Sequence, residues 1–435
     1  VEQVSSVGEK SKTLARRALM RPSRIGAIAI PIACALAVAF AAQPAHAQRR
    51  HPTWGQILIP GGRGDGTNDD TADLYDPASN RFASEIATPR MKGRVWATAT
   101  VLVNGPNAGK VLIAGGDNTN GIPRASTELY DPATNAVVDG PAMKTPRSGH
   151  TATAIPSGPH AGRILFAGGT DADGSKLSST ELYDPATNTF SPGPVIGAAC
   201  SLCTATVIAS GKNAGRILIA NHYDSRGPGA LLELYDPAVN KFITGPRMNM
   251  PDVYSATAIP SGKNAGKVLI VGAIDTTDKV SQEALAQTGL YDPDANTFSP
   301  GPSVRNIRRY HTATVITSGP NAGKILIAGG GNWFDDSRLL ASTELYDPDT
   351  NVFSPGPSMN TGRARHTATP ILSGKNAGKI LIAGGVKSVG KGVVAMLSST
   401  ELYDPVANKF APPGDTPEMN ELRSDTVAVQ LPPAP

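Results

Sequence analysis

Side chains able to do chemistry are few in this chain, and they fall into three groups. Cys200 and Cys203 stand three residues apart, and His222 follows at the point where an antiparallel partner would return to the same edge. Two thiolates and an imidazole are a ligand set for zinc or copper(I). The same Cys-x-x-Cys would close as a disulfide if the chain turned between the two, because an extended spacing holds the Cα atoms too far apart. Otherwise the thiols are small buried hydrophobes. His150, His311 and His366 form the second group, each preceded at minus three by an arginine (Arg147, Arg308, Arg363), while Arg94 keeps the arginine without the His. A ring of such residues suits an anionic or sugar ligand. The plainer reading pairs the arginines with Glu128, Glu181, Glu344 and Glu401 as exposed ion pairs of small net worth, screened by solvent. The third group is aromatic: Trp96, Tyr254, Tyr310 and the cluster Trp333, Phe334, Asp335, Asp336. Such rings stack on sugars or anchor a protein partner, and loops that pack only on their own scaffold use them too. No nucleophile triad, phosphate loop or paired-carboxylate signature is present, and Asp65, Asp69 and Asp70 lack the spacing of a calcium loop.

The elements that must position these groups come from an internal repeat. Tyr-Asp-Pro occurs at Tyr75, Tyr130, Tyr183, Tyr235, Tyr291, Tyr346 and Tyr403, with spacings of 55, 53, 52, 56, 55 and 57 residues, and an Asn follows three positions after every Pro. Pro fixes φ and Asn tolerates a left-handed conformation, so each copy is a tight turn. One copy shows the grammar: residues 150–155 alternate as a strand, 163–167 form a buried strand ending at Gly168-Gly169, 180–183 a third and 189–191 a fourth. No amphipathic helical stretch interrupts the pattern, so the class is all-β. A four-stranded sheet of this length cannot bury both faces alone, whereas several arranged radially bury each against a neighbour, which makes a β-propeller.

Past its first 47 residues the chain opens directly on a second strand, residues 56–62, and closes on an orphan first strand, 425–431. Those two ends complete one blade between them, and the count is seven. Because strand direction alternates, the near-identical Asn-Ala-Gly turns share one end of the propeller with the Tyr-Asp-Pro turns. The other end collects the variable loops after Gly-Gly, and function is expected there. Blades 4 and 5 depart from the repeat: Cys200 and Pro251 replace the arginine, and Asn221-His222 and Gly272-Ala273 stand where the others have Gly-Gly. Adjoining departures point to a site or a local repair.

At the amino terminus, Arg21 and Arg24 precede an apolar run over residues 25–42 that ends at Ala45-His46-Ala47. This is the pattern of a secretory signal peptide read from Met20 and cleaved before Gln48. The run contains Pro31 and barely reaches the ~20 residues of a spanning helix, so no stable membrane insertion is expected. Residues 1–47 hold six of the 40 Lys/Arg and two of the 36 Asp/Glu, which leaves 34 of each sign in 48–435. A chain of zero net charge gives no support to nucleic-acid binding. Cys34 leaves with the signal, and two cysteines cannot staple a fold of this size, so its stability rests on a buried core. The expectation is a secreted or periplasmic, monomeric propeller over residues 48–435.

The repeat resembles the kelch family, with Arg-x-x-His before the first strand, Gly-Gly after the second, a Tyr, and an aromatic residue after six intervening positions. The usual Trp is replaced by Phe82, Phe190, Phe242, Phe298, Phe353 and Phe410, and in blade 2 by Val137. The blade pattern is similar to that of the central domain of galactose oxidase. That resemblance implies copper chemistry, with Tyr310-His311 as a ligand pair and Cys203 and Tyr254 as a cross-linked pair. Cys203 and Tyr254 nevertheless share the register of His311, not that of Tyr310, and a one-residue slip turns a side chain to the other face. The function expected is recognition of a glycan or a protein through the variable-loop end. The alternative is an enzyme of the channel mouth, either a copper-dependent oxidase or a carbohydrate isomerase or lyase.

Overall fold

In each repeat the second strand is an unbroken apolar run, such as Val111–Ala114 or Ile164–Ala167, buried along its whole length. The third strand reads Thr-Glu-Leu-Tyr-Asp in four copies (Thr127–Asp131, Thr180–Asp184, Thr343–Asp347, Thr400–Asp404) and is buried up to its Asp. Strands covered on both faces cannot belong to a sheet that is wet on one side. The computed structural model describes residues 52–64, 70–84, 89–221, 231–248, 250, 252–273, 287–331, 339–390 and 393–435. It arranges these strands as seven four-stranded antiparallel sheets. Among the described residues there is no α-helix, and the expected signal peptide lies outside them.

The first strands Thr98–Val101, Thr151–Ala154, Thr204–Val207, Asp252–Ala258, Thr312–Val315 and Thr367–Pro370 follow one another around the axis. Val429–Gln430 stands between the last and the first of them. It pairs with Ile57–Pro60 through Leu58↔Val429 and Ile57↔Gln430, so the two ends of the chain share blade 1 as expected. The core sits between blades. Leu112 and Ala114 of blade 2 pack with Ile164, Phe166 and Tyr183 of blade 3, and Ile57 and Ile59 of blade 1 pack with Leu381 and Ala383 of blade 7.

At the turn end, every Tyr-Asp-Pro tyrosine donates its hydroxyl to the Asn five residues on, at 2.8 to 3.1 Å. All seven of those Asn residues are left-handed, with φ from 48° to 57°. Asn-Ala-Gly turns then reach the next blade: Asn376 Nδ2 donates to Tyr75 Oη at 2.9 Å and Asn264 Nδ2 to Tyr346 Oη at 3.1 Å.

Near the opposite end lies a layer of arginines, and here the structure corrects the expectation of exposed, screened pairs. Arg147, Arg308 and Arg363 are 0% exposed, and their partners Glu181, Glu344 and Glu401 are equally buried. Arg308 places all five N–H donors. Two reach Glu344 (3.1 and 3.0 Å), two the carbonyls of Gly329 and Ser342 (both 2.8 Å), and one Ser342 Oγ (3.0 Å). Burial removes the solvent that would screen such a pair, so its loss is costly. Arg94 repeats the pair with Glu128, and Arg423 with Asp73 at 2.6 Å closes blade 1. Gly-Gly is required by close approach: Gly330 is left-handed at φ 89°, donates its N–H to Arg363 O in the next blade at 2.8 Å, and has Arg309 O where a Cβ would stand, at 2.7 Å. A Cβ on left-handed Gly329 would stand 2.4 Å from Arg363 O.

Candidate binding site at the channel mouth

Two residues after each clamp arginine, and after Cys200 in blade 4, the backbone turns to start the first strand. The residues there, Trp96, Gly149, Leu202, Tyr310, Arg365 and Asp425, are all left-handed, with φ between 53° and 62°. Backbone hydrogen bonds join them head to tail: Trp96 N to Asp425 O, Gly149 N to Trp96 O, Leu202 N to Gly149 O, Arg365 N to Tyr310 O and Asp425 N to Arg365 O. This belt encircles the channel mouth except at blade 5. There the first strand starts at Asp252 and bulges between Val253 and Ser255, with no left-handed residue among those described. A side chain in this conformation costs on the order of 1 kcal/mol, which glycine avoids. Only blade 3 uses glycine; the other five positions hold Trp, Leu, Tyr, Arg and Asp.

The belt edges a recess of about 570 Å³, lined also by His150, Cys203, Tyr254, His311 and His366. Within it Arg365 lies 4.4 Å over the Tyr310 ring and forms an ion pair with Asp425 at 3.2 Å. The Tyr254 and Tyr310 rings meet edge to face at 5.4 Å. Arg309 Nε donates to Tyr254 Oη at 2.6 Å, and Arg63 lies 5.5 Å over Trp96. Two further recesses flank the mouth. One, about 540 Å³, is walled by Leu339, Val394, Met396 and Leu422, and the other, about 480 Å³, by Asp117, Ser148, Thr170 and Asp171.

The three histidines face this recess but act as stitches between blades. His150 Nε2 bonds Thr98 Oγ1 (3.0 Å), His311 Nε2 bonds Ser255 Oγ (2.8 Å) and His366 Nε2 bonds Thr312 Oγ1 (3.0 Å), each partner lying on the preceding blade. Nδ1 of His311 also bonds Arg308 O at 3.1 Å, so both its ring nitrogens are engaged. Burial, with the clamp arginine alongside, pushes His150 and His366 down to about 3 and His311 to about 4. All three are neutral at physiological pH.

Cys200 and Cys203 form a disulfide, with Cα atoms 5.8 Å apart, because left-handed Leu202 supplies the turn that an extended spacing lacks. This is the disulfide alternative, in which neither sulfur is a thiolate; His222, the third residue of the metal set, lies outside the described residues, as do Trp333 and Phe334. Blade 4 is therefore a local repair. Cys200 O still accepts from Gly169 N at 2.8 Å, and Glu233, bereft of the clamp arginine that five blades carry, accepts from Gly197 N and Ala198 N.

The structure thus gathers Trp96, Tyr254 and Tyr310 at one mouth. Sequence reasoning missed Leu202, Arg365 and Asp425, although the signal was there: they align with Gly149, whose presence in one copy marks a position that glycine suits.

The Kelch motif model matches residues 308–360. Alpha-scruin of Limulus polyphemus is 27% identical over 194 residues, 43% of this chain and 19% of the scruin. A galactose oxidase of Gibberella zeae is 22% identical over 285 residues, 61% of this chain and 39% of the oxidase. The chain therefore spans well under half the length of either curated relative. Among solved structures, a fungal alcohol oxidase in complex with copper superposes with a TM-score of 0.54 at 15% identity, covering 88% of this chain and 90% of that one. That likeness is one of fold.

Proposed function

We propose, from the premise that this chain is a kelch-repeat β-propeller, that it is an exported recognition module binding a carbohydrate at the mouth of its channel. The observation that carries the reading is the mouth itself: Trp96, Tyr254 and Tyr310 edge one recess of about 570 Å³ beside the Arg365–Asp425 pair. That volume lies in the range of small-ligand sites. Aromatic faces stack on the apolar faces of sugar rings, and a guanidinium and a carboxylate together donate and accept hydrogen bonds to hydroxyls. A protein partner would instead cover roughly 800 Å² of surface, mostly on the outer loops. The disulfide supports export, since such bonds persist in oxidising compartments.

Copper-radical chemistry does not fit these residues. Cys203 is bound to Cys200 and has no sulfur to cross-link with Tyr254, and both nitrogens of His311 are engaged. The direct test is a glycan array probed with wild type and Tyr254→Ala. Binding should fall at least tenfold in the variant, about 1.4 kcal/mol, with the melting temperature unchanged. A blank array, or equal binding by the two proteins, would sink the reading. Recovery of the bound sugar chemically altered would move it to the isomerase or lyase alternative.

A further inference from the structure

We infer that the left-handed belt is the specificity-determining element of the mouth, held at the expense of stability, and that it selects an uncharged sugar. The inference rests on the carbohydrate reading and adds which residues discriminate and what they discriminate against.

Six blades place one residue at the same point of the repeat, in the same left-handed conformation, in one chain of backbone hydrogen bonds. Gly149 shows that the backbone needs no side chain there. If the position were only a turn, glycine or asparagine would serve it best, and this chain puts asparagine at all seven of its Tyr-Asp-Pro turns. The belt instead carries five different side chains, four of them (Trp96, Leu202, Tyr310 and Arg365) in a conformation that their type disfavours, and all six belt residues line the recess. Backbone strain held at a recess is the pattern of a site. Leu202 isolates the argument. It is 41% exposed, so the side chain contributes little burial to offset its conformation, and it projects at the mouth beside Gly149, where an added Cβ would come within 2.9 Å of Leu202 Cδ2.

Charge sets the ligand class. Among the described residues lining the recess, Arg365 and Asp425 neutralise one another at 3.2 Å and the three histidines are buried stitches, while the nearby cations Arg309 and Arg63 do not line it and are engaged with Tyr254 and the Trp96 ring. A sugar carboxylate would have to displace Asp425 from Arg365, whereas the hydroxyls of a neutral pyranose bond to the pair intact. The two belt aromatics, Trp96 and Tyr310, each carry a guanidinium over one face, Arg63 and Arg365, and stacking on a sugar uses the other.

Leu202→Gly and Tyr310→Asn keep a residue suited to the left-handed backbone while removing the side chain. Each is compared with wild type by thermal melting and on an array that carries neutral pyranosides and the matching uronates. The expected result is a melting temperature equal to wild type or higher by roughly 1–3 °C, with at least tenfold weaker binding or a changed sugar preference. The wild type should favour neutral pyranosides over the uronates by tenfold or more. Undiminished binding with unchanged preference in both variants overturns the inference and leaves the carbohydrate reading standing, as does a uronate preference in the wild type. A drop of several degrees in both variants also overturns it, because the side chains would then be structural. A wild type that binds no saccharide on the array overturns the carbohydrate reading, and this inference with it.

Discussion

The two ends of this propeller are built from the same seven repeats under opposite rules. At the turn end every blade makes the same bond, Tyr Oη to a left-handed Asn, and its Asn-Ala-Gly turns reach across to the neighbouring tyrosine. At the mouth the corresponding left-handed position holds Trp, Gly, Leu, Tyr, Arg or Asp. The buried arginine layer lies beneath this varied surface and is regular again, except in blade 4, where Cys200 takes that position, and in blade 5, whose sequence has no arginine there. Regularity marks the places where the blade must fit its neighbour, and variety marks the place where the molecule meets something else.

Acid should act on this contrast most strongly, because all three stitching histidines lie on the mouth side. Their folded values, about 3 to 4, lie below the ordinary His value near 6.5, so between these limits the unfolded chain binds protons that the folded one refuses. Stability is thus complete above about pH 6.5 and declines as pH falls, by as much as roughly 4 kcal/mol per unit for three residues. Urea titrations at pH 7, 6 and 5 should show midpoints falling steeply, and His150→Gln should flatten the dependence by about a third. A flat profile would show that the imidazoles are protonated in the folded state.

The arginine layer offers a second way to break the contrast. Arg147→Met leaves Glu181 buried without its guanidinium and should cost about 3–5 kcal/mol by equilibrium unfolding. Adding Glu181→Leu should restore much of that loss. If Arg147→Met were neutral, the regular layer would not be what holds the mouth.

The smallest effect belongs to the turn end. Asn264→Ala removes one inter-blade bond to Tyr346 and should cost about 1 kcal/mol, with no change in array binding. Weakened binding without a stability change would place part of the function on the turn face.

Much of this was legible in the residues. Seven Tyr-Asp-Pro-x-x-Asn turns, apolar second strands and mismatched chain ends determine an all-β, seven-bladed ring closed by its last strand, because tight turns and buried strands are local properties repeated until only one arrangement covers them all. The pairing of Arg147 with Glu181 was also readable, but its burial was not: exposure depends on what the neighbouring blade lays over the pair. Whether Cys200 and Cys203 would meet hinged on one backbone angle, that of Leu202, and residue type alone disfavours the value it adopts. The belt was hidden for the same reason. Trp, Leu, Tyr, Arg and Asp share no sequence preference for a left-handed turn, so their likeness is imposed by the hydrogen bonds that link one blade to the next, and only the assembled ring supplies those.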